Sequence, residues 1–312
     1  MSKISFVIPC YRSENTLEEV VAEINEAMRA LSNYTYEIIL INDSSPDGTF
    51  NTIKRIASKY ENVIGADMAK NFGQHAALMA GFSFASGDIV VCLDDDGQTP
   101  AIEVGKLLDK IEEGYDVVYA KYDNKQHSGF RNFGSRVNSM MTEQMLGKPK
   151  ELYVSSYFAA KRFVVDEMLK YQNCYPYVIG LVLRTTKNIC NVSVNHRARE
   201  VGESGYSFKK LINLWMNGFT SFSVKPLRMA TYAGLAVVLF GFLFFIWTVI
   251  NYFTNPLVPV GWSSTVALIL AVGGMILVVL GMIGEYIGRI YISINNSPQY
   301  VIREVVESNK ED

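Results

Sequence analysis

From Met229 to Gly284 the chain carries no Asp, Glu, Lys or Arg. No other feature limits its fold as strongly. Two apolar runs lie inside this tract, "MATYAGLAVVLFGFLFFIWTVINYF" (229–253) and "WSSTVALILAVGGMILVVLGMIG" (262–284). Each is longer than the roughly 20 residues a helix needs to cross a bilayer. A pair of buried core helices is the competing account, but a core helix of a soluble protein usually keeps a charged outer face. The linker "TNPLVPVG" supplies Asn, Pro and Gly, which turn the chain, so the sequence predicts two transmembrane helices, about 229–253 and 262–286, within 228–290. Lys225 and Arg228 precede the first span, Arg289 and Arg303 follow the second, and the linker has no positive charge. By the positive-inside rule both termini face the cytoplasm. The expectation is an integral protein of the inner or plasma membrane with residues 1–206 as a cytoplasmic domain and 291–312 as a cytoplasmic tail.

The remaining composition narrows the classes. The net charge is −2, so no basic field points to nucleic acid. Cysteines stand at 10, 92, 174 and 190 with no CxxC pair, which argues against zinc or a disulfide framework and for a reducing compartment. The N-terminal "MSKISFVIPCY" has too short an apolar run for a signal peptide.

Before the membrane tract, apolar strand-like runs alternate with helical stretches. Strands are expected at 4–11, 36–43, 62–69, 88–96 and 115–122, and helices at 14–32, 49–60, 73–86 and 101–113. Thr16 and Glu19 have capping-box spacing at the first helix. This order predicts an α/β domain with a mostly parallel, doubly wound sheet covered on both faces. Ligands of such sheets bind beyond the carboxyl ends of the strands. There the sequence puts Pro9, Tyr11, Arg12 and Glu14 after the first strand, Asp43 after the second, Lys70 and Asn71 after the third, and Asp94, Asp95 and Asp96 after the fourth. No GxGxxG motif occupies the first βα turn and no P-loop occurs, so a nucleotide diphosphate would need another means of neutralisation.

Three adjacent aspartates in "VVCLDDDGQTP" suggest that means. Asp94 and Asp96 offer hard oxygen donors, and Gln98 adds a neutral oxygen two residues on. Mg²⁺ or Mn²⁺ suits such a set and keeps coordination places for phosphate oxygens. The competing account, a solvated acidic turn, explains neither the position at a strand end nor the company of Asp43 and Glu14.

"SFVIPCYRSENTL", "INDSSPDGT", "NFGQHAALMAGFSFASGD" and "DDDGQTP" together resemble family 2 glycosyltransferases of the GT-A fold, the nucleotide-diphospho-sugar transferase architecture. With the hairpin, the chain from residue 4 to about 290 is similar to polyprenyl-phosphate sugar transferases, relatives of dolichol-phosphate mannose synthase. The resemblance implies that Pro9, Tyr11 and Glu14 line the base and ribose pocket, that Asp43 accepts a hydrogen bond from the base, and that Lys70 approaches the diphosphate. It implies metal binding by Asp94, Asp96 and Gln98, with Asp95 near ribose or sugar. Arg131 and Arg136 in "KQHSGFRNFGSRVNSMM" match basic positions near the phosphates, and a guanidinium can grip a phosphate monoester with two bonds. Docking of a basic helix face on headgroups is the alternative for both. His75 and His127 read as incidental.

The pattern also departs from the family. Ser156 of "YVSSYFAAKRF" stands where relatives often have Asp, which puts the identity of any catalytic base in doubt. A phosphate monoester is already anionic near neutral pH, its second pKa being about 6, so its oxygen needs little deprotonation. Arg199, Ser204 and Tyr206 of "HRAREVGESGYSFKKL" match a family loop that closes on the acceptor side. Phe208, Leu211, Ile212, Trp215, Phe219 and Phe222 recur at helical spacing with Lys209 and Lys210 between them, so 207–227 reads as an amphipathic helix in the membrane interface. Gly281, Gly284 and Gly288 permit close helix approach, within the hairpin or in a homo-oligomer.

The function these features lead us to expect is metal-dependent, inverting transfer of a sugar from a nucleotide diphosphate, UDP before GDP, to polyprenyl (undecaprenyl) phosphate on the cytoplasmic face. A GDP-mannose-dependent synthase of the same kind is the nearest alternative. A processive polysaccharide synthase would usually carry a QxxRW motif and more spans; a non-catalytic scaffold would not need the acidic set. Nothing in the sequence selects the sugar.

Overall fold

The computed structural model describes residues 1–122, 143, 148–195, 225–254, 261–295 and 297–307. The chain divides into two units, Met1–Gly218 with Asn296–Asp312, and Phe219–Asn295.

In the first unit the described strands are β1 (Ser2–Cys10), β2 (Tyr34–Asn42), β3 (Val63–Met68), β4 (Ile89–Cys92), β5 (Val117–Tyr122), β6 (Phe158–Lys161), β7 (Ile189–Val194) and β8 (Ile302–Glu307). They form one sheet in the order β7-β5-β6-β4-β1-β2-β3-β8. The helices are α1 (Leu17–Ala30), α2 (Thr49–Lys59), α3 (Gln74–Phe84), α4 (Val104–Glu112), α5 (Arg162–Leu169) and α6 (Val178–Thr185). The first four strands of the chain are the parallel heart, paired β4-β1-β2-β3. Their runs are apolar throughout because both faces are covered. Ile4, Phe6, Ile8 and Cys10 point into a core shared with α1, α2 and α4. The alternate residue Val7 points the other way, against Gly81 of α3. This crossing of parallel strands brings the ends of β1, β2 and β4 to one rim.

The expectation of a mostly parallel sheet holds for six of the eight described strands, which run in one direction, but β6 and β8 run against them and make the sheet mixed. β6 enters antiparallel between β4 and β5, so these two are not neighbours. Four residues of β6 are too few to announce a strand by periodicity. β8 runs antiparallel to β3, so part of the tail from 291 onward is sheet. The fourth strand also ends at Cys92 rather than at 96. Beyond it the aspartate side chains take up hydrogen bonds from loop amides, and Gly97 turns the chain at φ 71. The capping box fails too. Thr16 precedes α1 without a side-chain cap, and its hydroxyl donates instead to the Asp95 carbonyl at 2.6 Å.

The second unit contains α7 (Lys225–Thr254) and α8 (Trp262–Ile294). At 1.5 Å per residue they reach about 45 and 50 Å. Among the described residues one segment, Ala271–Ile292 of α8, is long and apolar enough to cross a membrane, while the apolar segment of α7, Ala230–Phe244, is shorter. Leu235, Phe240, Leu277 and Val278 are all more than 60% exposed. A Cβ built on Gly281, Gly284 or Gly288 would meet no atom within 4 Å among the described residues, so these glycines make no close helix contact there.

Candidate active site

The rim is assembled by loops that hold one another through backbone amides. After β1 the chain passes through Arg12 at φ 60, a left-handed conformation, and the Arg12 amide donates to Ser45 Oγ at 2.8 Å. The preceding Tyr11 amide donates to Asp95 Oδ2 at 2.9 Å, and Ser13 N reaches Thr49 Oγ1 at 3.0 Å. The β1 loop is thereby pinned between the acidic turn after β4 and the loop after β2. Glu14 is exposed and its Oε2 accepts the Gly48 amide at 2.7 Å. Tyr11 leaves its ring 43% exposed at the rim. Pro9 is buried inside β1, opposite Ile41 of β2, below the rim surface.

Asp43 follows β2 and is buried. Its Oδ1 accepts Phe72 N at 2.7 Å and its Oδ2 accepts Gly73 N at 2.9 Å, while Asn71 Nδ2 donates to its carbonyl at 3.1 Å. The loop 70–73 and the start of α3 are thus wrapped around one carboxylate. Burial pushes its pKa up to about 6, and the two amide bonds pull against that rise without cancelling it. Each oxygen keeps lone-pair capacity for a further donor. Lys70 is exposed and its Nζ lies 4.8 Å from the Phe72 ring centroid.

Asp94 is held between two neutral donors. Gln74 Nε2, at the start of α3, donates to Oδ1 at 3.1 Å, and the Ser156 hydroxyl donates to Oδ2. Burial first, then repulsion from Asp96 and Asp95, lifts its pKa to about 6, against the two hydrogen bonds that favour the anion. Burial also raises Asp95, against its bond from the Tyr11 amide. Asp96 Oδ1 accepts the Gln98 amide at 3.1 Å across the turn. Among the described residues neither Asp94 nor Asp95 forms an ion pair.

The chemistry of this donor set fits a hard divalent cation: Asp94 and Asp96 offer carboxylate oxygens, and repulsion from Asp96 and Asp95 adds to the cost of ionising Asp94. Among the described residues no group of three or more His, Cys, Asp or Glu comes together as a metal cage. A cation on Asp94 and Asp96 would therefore complete its shell with neutral oxygens, water and ligand phosphate, as Mg²⁺ commonly does.

The structure brings Tyr11, Glu14, Asp43, Asp94, Asp95, Asp96 and Gln98 to the rim, with Lys70 in the adjoining loop. Arg131, Arg136, Arg199, Ser204, Tyr206 and the part of the expected interfacial helix before Lys225 lie outside the described residues. His75 is packed edge-on against Tyr177 with ring centroids 5.1 Å apart. Its Nδ1 is buried without a partner among the described residues, and burial lowers its pKa to about 4. Gln74 was the contact that sequence reasoning missed. Its signal was its place in "NFGQH", directly after a strand end and opening a helix. Ser156, noticed as a departure, turns out to touch the acidic turn.

Residues 5–169 match the family model described as Glycosyl transferase family 2, and residues 225–290 match that of the GtrB C-terminal hairpin. Among solved structures, glucosyl-3-phosphoglycerate synthase from Mycobacterium tuberculosis in complex with phosphoglyceric acid aligns with 21% identity and a TM-score of 0.53, covering 69% of this chain and 78% of that one. A second crystal structure of the M. tuberculosis enzyme gives 20% identity and a TM-score of 0.52 over 71% and 81% of the two chains. The same synthase with Mn²⁺, UDP-glucose and phosphoglyceric acid gives 20% and 0.51 over 69% and 78%. At these identities the likeness speaks for the fold.

Proposed function

Since the chain belongs to glycosyl transferase family 2, we propose that it transfers a sugar from a UDP-sugar to a polyprenyl phosphate at the cytoplasmic membrane surface. One observation carries this reading: the acidic turn after β4 and a match to the GtrB C-terminal hairpin occur in a single chain. The acidic turn suits a nucleotide diphosphate, and the hairpin suits an acceptor that lives in a bilayer.

Support for UDP and a divalent cation comes from the Mn²⁺ and UDP-glucose complex of the structurally similar synthase. Asp94, Asp96 and Gln98 would hold the cation. When bound it supplies charge neutralisation for the departing diphosphate. Asp94 is kept in place for that task by Gln74 and Ser156. Asp95 spends one oxygen on the Tyr11 amide and so fixes the wall where the base and ribose would lie. Asp43 keeps lone-pair capacity for a pyrimidine N–H. An acceptor phosphate oxygen attacks the anomeric carbon from the side opposite the leaving group. The new C–O bond forms as the bond to UDP breaks, its electron pair leaves with UDP, and the configuration inverts. The acceptor arrives ionised, so Ser156 in place of an acid leaves no missing proton step. Arg131 and Arg136 are proposed to grip the acceptor phosphate, with Arg199, Ser204 and Tyr206 closing over it.

The membrane arrangement has support from chain parity. β8, after α8, belongs to the same sheet as β1 to β7, before α7. A sheet that takes strands from before α7 and from after α8 suits an even number of crossings between them. With Ala271–Ile292 able to span, the proposal assigns the second crossing to α7, in keeping with the match to the GtrB C-terminal hairpin. A panel of UDP- and GDP-sugars offered with undecaprenyl phosphate, read by mass spectrometry of the lipid product, tests the reading. One UDP-sugar should give a lipid-linked monosaccharide, and Asp96→Ala should lose the product by at least about a hundredfold while remaining folded. Sugar polymer, full activity of Asp96→Ala, or full activity of wild type in excess EDTA would refute it.

A further inference from the structure

We infer that Arg303, in the strand that follows the apolar helices, is a positioning residue for the nucleotide pocket. The inference rests on the reading that UDP occupies the rim near Asp43. β8 pairs with β3 through a register shift: Glu304 lies opposite Asp67 and Ile302 opposite Met68. Arg303 falls within that irregularity, and such a bulge re-aims a side chain. Its guanidinium is directed back to the carboxyl end of β3, where it forks. Nη1 meets Asp67 Oδ2 at 3.2 Å and Nη2 donates to the Ala69 carbonyl at 2.6 Å.

Each branch leads to the rim. Asp67 is 4% exposed, and its other oxygen accepts Asn42 Nδ2 at 2.7 Å. Asn42 Oδ1 in turn accepts the Ser45 amide at 3.3 Å, and Ser45 Oγ takes the Arg12 amide. The first branch thus stiffens the loops after β1 and β2. The second fixes Ala69, the residue before the 70–73 loop whose Phe72 and Gly73 amides bind the Asp43 carboxylate. Asp43 is therefore held from both sides by segments that Arg303 ties down. A planar fork reaches two acceptors of different direction, which an ammonium point charge does less well. Glu304, its neighbour in sequence, provides a contrast. It pairs with Lys54 of α2 at 2.6 Å and both side chains are more than 40% exposed, whereas Arg303, itself 57% exposed, reaches a buried carboxylate in Asp67.

The test uses the full chain in detergent, with UDP and MnCl₂ as the probe in isothermal titration calorimetry and with thermal unfolding alongside. Arg303→Ala should weaken UDP binding roughly tenfold, in the range of coupling energies between residues of one network. Glu304→Gln should lose no more than about twofold. With the sugar donor in hand, Arg303→Ala should raise donor KM far more than it lowers kcat, leaving acceptor KM unchanged. Should Arg303→Ala fail to fold, Arg303→Lys keeps a charge opposite Asp67 and should still bind UDP roughly threefold or more weakly. Wild-type UDP affinity in the folded arginine variant, or an equal loss in Glu304→Gln, would overturn the inference alone. A wild-type chain that ignores UDP would overturn the proposed function as well.

Discussion

Replacing Asp94 by Asn should make the metal-free protein more stable while abolishing its activity. Asp94 carries a carboxyl whose pKa rises from 3.8 to about 6. At about 1.4 kcal/mol for each pH step, holding it ionised above pH 6 costs about 3 kcal/mol. The sign follows from proton affinity. The native state binds this proton more tightly than the unfolded chain, so its contribution is full below about pH 4, fades as pH rises to about 6, and stays lost above. A carboxamide at this position does not titrate and has no such slope. The substitution costs little in hydrogen bonds because both partners adapt: the Ser156 hydroxyl can turn from donor to acceptor and the Gln74 amide can flip. Removing this charge also ends the repulsion between Asp94 and Asp95. In EDTA at pH 7.5 the variant should melt roughly 5 °C or more above wild type, and the gap should close as pH falls through 6 to about 4. Saturating MnCl₂ should raise the wild-type Tm and leave the variant unmoved, since a ligand stabilises only the state that binds it. An Asp94→Asn protein that melts at or below wild type in EDTA, or a gap that ignores pH, would refute the reasoning.

Asp43→Asn meets a different outcome from a carboxyl with the same pKa of about 6. Its oxygens face the Phe72 and Gly73 amides, which cannot turn, so one buried N–H is left opposite an NH₂. That should offset the relief by about 1–3 kcal/mol and leave Tm near wild type at pH 7.5, with UDP affinity reduced in calorimetry. Gly81→Ala places a Cβ 2.3 Å from Val7 Cγ1 and 3.3 Å from Ile41, in the packing of α3 on the parallel strands. It should lower stability by about 1–3 kcal/mol in thermal melts, and Val7→Ala in the same chain should restore part of the loss.

The parallel heart and its acidic rim are legible in the sequence for a physical reason. Strands buried on both faces must be continuously apolar, and a charged run ending such a strand can only lie where the sheet stops. β6 and β8 escape the same method. β6 has only four residues, too few to show a period, and β8 reads "IREVVE" with mostly exposed side chains and no apolar run. Thr16 is misread because capping spacing says nothing of a competing carbonyl 79 residues away. Arg303 counts in the sequence as one of the positive charges flanking a span; its distance of 236 residues from Asp67 hides its second role.

Three carboxylates of the rim, buried or half-buried, differ in their partners from three carboxylates of the scaffold. Glu37 has Lys3 at 2.6 Å, Asp67 has Arg303 at 3.2 Å and Asp116 has Lys161 at 3.3 Å. Asp43, Asp94 and Asp95 have only amides, a hydroxyl and a side-chain carboxamide among the described residues. Neutral donors fix the direction of a carboxylate without cancelling its charge. A lysine in the same place would satisfy the anion and remove its attraction for anything else. The rim therefore keeps oriented negative charge, while the scaffold a few residues away discharges it. Such an arrangement is costly unless a cation or an N–H donor of a ligand arrives, and this is why the stability of Asp94→Asn and the affinity for UDP should move in opposite directions.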